Sequence, residues 1–152
     1  MSIHNTVLVT VALATGAVLL MIGCAAPPET GGNLINVVKE AGLSDTVEIE
    51  IAELAGDAEL GYLHRVTITD SQILDQIIAA LNQDLQLGPR ARCPARYELR
   101  FHLGDGTVQE FSYSCDNGPS FLHGGQDFWQ VQDIQPPARF DELILEALAS
   151  TE

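Results

Sequence analysis

Tyr97-Glu98-Leu99-Arg100-Phe101-His102-Leu103-Gly104-Asp105-Gly106-Thr107-Val108-Gln109-Glu110-Phe111-Ser112-Tyr113-Ser114-Cys115 is the stretch on which the fold turns. On its first arm Tyr97, Leu99, Phe101 and Leu103 alternate with Glu98, Arg100 and His102. On its second arm Phe111, Tyr113 and Cys115 alternate with Glu110, Ser112 and Ser114. Alternation with a period of two marks half-buried strands. Gly104-Asp105-Gly106 suits a three-residue hairpin loop with a glycine in the left-handed region. That loop sets Leu99 against Phe111 and Tyr97 against Tyr113 on the apolar side, and Arg100 against Glu110 on the wet side. A two-residue turn would instead set Phe101 against Glu110 and bury a charge, so the pattern itself selects the register.

Outward from this hairpin, Val47, Ile49 and Ile51 alternate with Glu48 and Glu50, and Tyr62 to Thr69 reads as the strand paired with them. Asp70 or Ser71 caps a helix whose stripe is Ile73, Leu74, Ile77, Ile78 and Leu81. Gly88-Pro89 closes the connection after it. Asp116 to Gln126 reads as irregular, Phe128 to Ile134 as a last strand, and Pro136-Pro137 as the opening of a final helix with Phe140, Leu143, Ile144, Ala147 and Leu148 on one stripe. Leu34, Val37, Val38 and Ala41 fall at helical spacing between Asn33 and Gly42, although their β-branched members also suit a strand. The expected fold is α+β: an antiparallel sheet of about four to five strands with two amphipathic helices packed on one face, forming a single exported domain over 34–150.

The other end of the chain reads differently. An uncharged apolar stretch opens near Val7 and closes on Leu19-Leu20-Met21-Ile22-Gly23-Cys24. This resembles the lipobox of a bacterial lipoprotein signal peptide. The resemblance implies cleavage after residue 23 and a lipid, fatty-acyl attachment at the Cys24 thiol. It places the protein on the cell membrane or outer membrane, facing away from the cytoplasm. An uncleaved membrane helix from about Val7 to Ala26 is the alternative, since roughly 20 apolar residues span a bilayer. Residues 24–33, with Pro27-Pro28 and Gly31-Gly32, form the linker.

The chain has 152 residues and a net charge of −14, and every Lys, Arg, Asp and Glu follows Cys24. Such acidity excludes nucleic acid as a partner, because that needs a basic footprint. It equally disfavours broad adhesion to anionic lipid, so attachment to the membrane falls to the anchor. With Cys24 assigned, Cys93 and Cys115 remain as an even pair in an oxidising compartment, which reads as a disulfide. In the hairpin register Cys115 faces Ala95, and Cys93 lies one diagonal step away. That step is roughly 7–8 Å, so a bend at Pro94 is needed to close the bridge.

No catalytic constellation stands out. Cys93, Cys115, His102 and His123 match no zinc spacing, and no pattern requires a metal or a cofactor. Arg90, Arg92, Arg96 and Arg100 cluster; the simplest reading is a strand edge whose arginines neutralise carboxylates. The candidate binding loop is Ser120 to Trp129, where Phe121, Phe128 and Trp129 mix with His123 and Asp127. Aromatics among polar groups suit recognition, and the same aromatics also suit core closure. The functional expectation is a non-enzymatic, lipid-anchored module that binds a protein or envelope component. The alternative is a small envelope hydrolase using carboxylates near His123.

Overall fold

The computed structural model describes residues 34–55, 61–115, 118–125 and 132–150. Residues 1–33, including Cys24 and the linker, lie outside the described residues, as do Asp127, Phe128 and Trp129. The strands are β1 (Leu34–Ile35), β2 (Thr46–Leu54), β3 (Tyr62–Ile68), β4 (Leu85–Pro89), β5 (Ala95–Leu103), β6 (Val108–Cys115), β7 (Leu122–Gly124) and β8 (Gln132–Ile134). The helices are α1 (Val37–Glu40), α2 (Ser71–Leu81) and α3 (Ala138–Ala149), and a 3₁₀ turn covers Leu43–Asp45.

All eight strands join one antiparallel sheet in the order β1-β4-β8-β7-β6-β5-β2-β3. This corrects the expectation of four to five strands with two packed helices. Among the described residues the sheet has eight strands, and three helices accompany it. The missed strands are short. β1 and β7 have two and three residues, too few for an alternation to be visible, whereas β8 falls within the last strand expected over Phe128 to Ile134. β4 contains Gly88 and Pro89, which read locally as a break. It forms because Leu87, Gly88 and Pro89 pair with Ile134, Asp133 and Gln132, a non-local contact that no local pattern announces. Leu34 and Ile35 pair with Gln86 and Leu85, so the first helix starts later than its apolar spacing suggests. Asn36, not Asn33, caps it by accepting from the Lys39 N–H at 3.1 Å.

The central hairpin has the register its pattern demands. Leu99 pairs with Phe111, Tyr97 with Tyr113 and Arg100 with Glu110. Gly106 takes φ +88°, the left-handed conformation the loop requires, and the Asp105 carboxylate accepts from the Thr107 N–H at 2.8 Å. β5 is nevertheless an interior strand, flanked by β6 and β2, and its arginines guard no edge.

One face of the sheet carries the core. Ile49, Ile51, Leu99, Phe101, Phe111 and Tyr113 meet Leu74, Ile77 and Leu81 of α2 and Phe140, Leu143 and Ile144 of α3. Phe111 meets Phe101 edge-on at 5.3 Å between centroids, and Phe140 meets Tyr113 edge-on at 5.6 Å, the geometry the ring quadrupoles favour. Asp70 caps α2 through the N–H groups of Gln72 and Ile73. The opposite face carries a closed ionic net: Arg100 reaches Glu98, Glu110 and Glu50, and Arg65 also reaches Glu50.

Candidate functional site

At the β5–β6 end the sheet is closed covalently. Cys93 and Cys115 form a disulfide with their Cα atoms 5.8 Å apart. Ala95 is the ladder partner of Cys115, and β5 begins only at Ala95, so Pro94 and Cys93 bend away from the ladder. That bend shortens the diagonal from the roughly 7–8 Å of a regular ladder to a bridging distance. On the other arm Ser114 adopts φ +60°, a conformation that non-glycine residues avoid. Its N–H donates to the Phe121 carbonyl at 3.1 Å. Gly118 then comes so close that a Cβ there would lie 3.1 Å from Cys115 Cβ.

Beside this corner, on the face opposite the core, sit His123 and Asp133. His123 is the cross-strand partner of Ser112. Its Nδ1 lies 2.7 Å from Asp133 Oδ1 and 3.2 Å from the Gln132 carbonyl. Both partners are acceptors, so Nδ1 carries the proton and Nε2 is left for another contact. Asp133 is 4% exposed and is the buried charged residue among the described ones. Its Oδ2 accepts from the Ala91 N–H at 2.6 Å. The carboxylate thus holds the 90–94 segment against the sheet with one oxygen and orients the imidazole with the other.

Three hollows meet at Ala91. The largest, about 580 Å³, is an open apolar groove walled by Ala91, the Cys93–Cys115 bridge, Pro94, Gly118 and Pro119, with Arg92 on its margin. The second, about 90 Å³, is polar and is lined by Arg90, Ser112, His123 and Asp133 together with Cys93 and Phe121. A third of about 220 Å³ lies between Gly88-Pro89 and Pro119-Ser120. The first two share Ala91 and Cys93. The four clustered arginines divide across this boundary. Arg96 pairs with Glu53 at 3.1 Å, and Arg100 is surrounded by carboxylates. Arg90 and Arg92 are exposed, and no carboxylate among the described residues pairs with either.

Of the loop proposed from sequence, Phe121 is 8% exposed and packs at the corner. His123 is half-buried and meets the carboxylate of Asp133. Asp127, Phe128 and Trp129 fall outside the described residues. Sequence reasoning missed Asp133, Ser112 and Ala91. Asp133 sits in a three-residue strand whose partners come from β4 and β7, so no spacing pointed to it. Among the described residues no group of three or more His, Cys, Asp and Glu could hold a metal ion, and no helix is long and apolar enough to cross a membrane.

Comparison with protein-family models, with curated proteins and with solved structures finds no match to this chain.

Proposed function

We propose that this chain is a lipid-anchored binding module on the outer side of a membrane, and that its ligand seats in the groove at the disulfide corner. The observation that carries the reading is the groove itself. Its volume of about 580 Å³ falls within the range of about 300–1,000 Å³ found for ligand pockets. Its frame is rigid, because a disulfide and two prolines form its walls. Among the described residues those walls hold no free thiol and no carboxylate, which suits holding a ligand better than transforming it. The lipobox resemblance at Cys24 supports the anchor. Cys24→Ala should abolish fatty-acid labelling of the protein, and continued labelling would remove the anchor from the proposal.

The binding reading is tested with Ala91→Trp, which places an indole in the groove. Fractions of envelope extract containing the ligand should raise the melting temperature of the wild-type chain, because a ligand that binds only the folded state stabilises it. The Ala91→Trp chain should show no such rise. An equal rise in both chains would place the ligand elsewhere and overturn the reading.

One observation favours a second reading, a small hydrolase. Ser112, His123 and Asp133 share one face, and the Asp133–His123 bond orients the imidazole as a general base requires. The hollow beside them, about 90 Å³, is small for a scissile group with its flanks. A fluorophosphonate probe that labels wild-type protein but not Ser112→Ala would establish this reading in place of the first.

A further inference from the structure

We infer that the groove and the polar hollow beside it form one composite site for a single-chain anionic amphiphile of the long-chain fatty-acid type. The inference rests on the binding reading and names the ligand class. Three observations carry it. First, the two hollows adjoin through Ala91 and Cys93 and differ in chemistry: the larger is walled mainly by apolar groups, and the polar groups of the smaller are Arg90, Ser112, His123 and the buried Asp133. A ligand spanning both must itself be apolar at one end and polar at the other.

Second, two guanidiniums beside the hollows can meet an anion, while both oxygens of the Asp133 carboxylate in the lining are already engaged, by His123 Nδ1 and the Ala91 N–H. The chain carries −14 overall, and Arg96 and Arg100 are engaged by carboxylates. Arg90 and Arg92, which border the two hollows, have no such partner among the described residues. A guanidinium binds a carboxylate through two parallel N–H···O bonds. The Ser112 hydroxyl, engaged by no hydrogen bond among the described residues, can add a third. A hollow of about 90 Å³ holds about three waters at roughly 30 Å³ each, so a carboxylate group fits there with room for water.

Third, the groove walls suit an acyl chain better than a peptide. A peptide segment brings an N–H and a C=O at every residue, and each needs a partner when buried. Pro94 and Pro119 have no N–H to offer, and the other walls are Ala91, Gly118 and the disulfide. An acyl chain asks nothing of those walls beyond contact. The burial of its methylenes supplies the affinity, and the arginines fix its direction.

The test uses the full chain in non-ionic detergent micelles and a palmitic acid analogue carrying a mid-chain diazirine. After irradiation, adducts are mapped by mass spectrometry. The expected result is labelling confined to Ala91–Pro94 and Gly118–Pro119 that unlabelled palmitate competes away. Labelling should fall at least tenfold in Arg90→Glu/Arg92→Glu, and at least tenfold for the methyl ester of the same probe. Both arginines are exposed and have no ion-pair partner among the described residues, so the double variant should keep the wild-type circular dichroism and melt, which are recorded alongside. Labelling of the groove that is indifferent to the ester and to the arginines would overturn the anionic amphiphile while leaving the groove as an apolar binding site. Labelling elsewhere, or none, would overturn the composite site. The melting experiment with Ala91→Trp then decides separately whether the groove binds any other ligand.

Discussion

Replacing Asp133 with alanine tests the organisation of the corner. The carboxylate is 4% exposed and accepts from the Ala91 N–H at 2.6 Å and from His123 Nδ1 at 2.7 Å. Removing it leaves two donors without their main acceptor. Each buried orphan donor costs about 1–3 kcal/mol. His123 keeps the Gln132 carbonyl at 3.2 Å and part of its side chain is open to water, so its share lies at the low end. The sum is about 2–4 kcal/mol, a large part of the roughly 5–15 kcal/mol that holds a small domain folded. Urea unfolding followed by circular dichroism should show a lower midpoint and an unchanged slope. A double-mutant cycle with His123→Ala isolates the bond between the two side chains. Because that bond is charge-assisted, its coupling should be about 1–3 kcal/mol. A loss under about 1 kcal/mol for Asp133→Ala, with coupling inside the roughly 0.5 kcal/mol of independent sites, would show that this carboxylate does not organise the corner.

Replacing both Cys93 and Cys115 with serine should cost about 3 kcal/mol in the loop-entropy model, since the bridge closes a sequence separation of 22; an unchanged denaturation midpoint would contradict it. Phe140→Ala removes a fully buried ring set edge-on against Tyr113 and should cost about 3–5 kcal/mol, read by the same unfolding experiment. Burial, and then the hydrogen bond to Asp141 at 2.6 Å, push the Tyr113 phenol well above its ordinary value. The folded protein therefore keeps a proton that the unfolded chain releases near pH 10. Stability should accordingly fall as pH rises beyond that value, and Tyr113→Phe should flatten the decline; an equally steep decline in the variant would refute this assignment.

The parts of the fold that could be read in the sequence are those with enough residues to show a period. β5 and β6 have nine and eight residues, and their register followed from the need to keep Glu110 out of the core. α2 showed its cap at Asp70 and its stripe over three turns. β1 and β7 show no period because each contributes one or two side chains to a face. They are strands because β4 and β6 present backbone groups for them to pair with, and that opportunity exists only in the folded chain. The strand count was too low for this reason, while the antiparallel character was legible from the alternation.

Of the site, its covalent part and the Phe121 and His123 side chains were legible. Cys93 and Cys115 form an even pair that announces a bridge, and Pro94 between the strand and Cys93 announces the bend that lets it close. Nothing local separates Arg90 and Arg92 from Arg96 and Arg100. The separation comes from position along the chain relative to that bend. Arg96 and Arg100 lie within β5, next to the glutamates of β2 and β6, so the ladder neutralises them. Arg90 and Arg92 lie before Pro94, where the backbone has left the ladder, and no glutamate among the described residues pairs with either. The bend that allows the disulfide thus also strips two guanidiniums of their carboxylates and sets them beside an apolar groove. A variant that straightens this segment, such as Pro94→Val with both cysteines replaced by serine, should extend β5 towards Arg92. If the argument holds, amide hydrogen exchange at Arg92 and at the residue following it slows in that variant, while labelling by the fatty-acid probe is lost. Retention of labelling in a straightened segment would mean that the bend does not create the site.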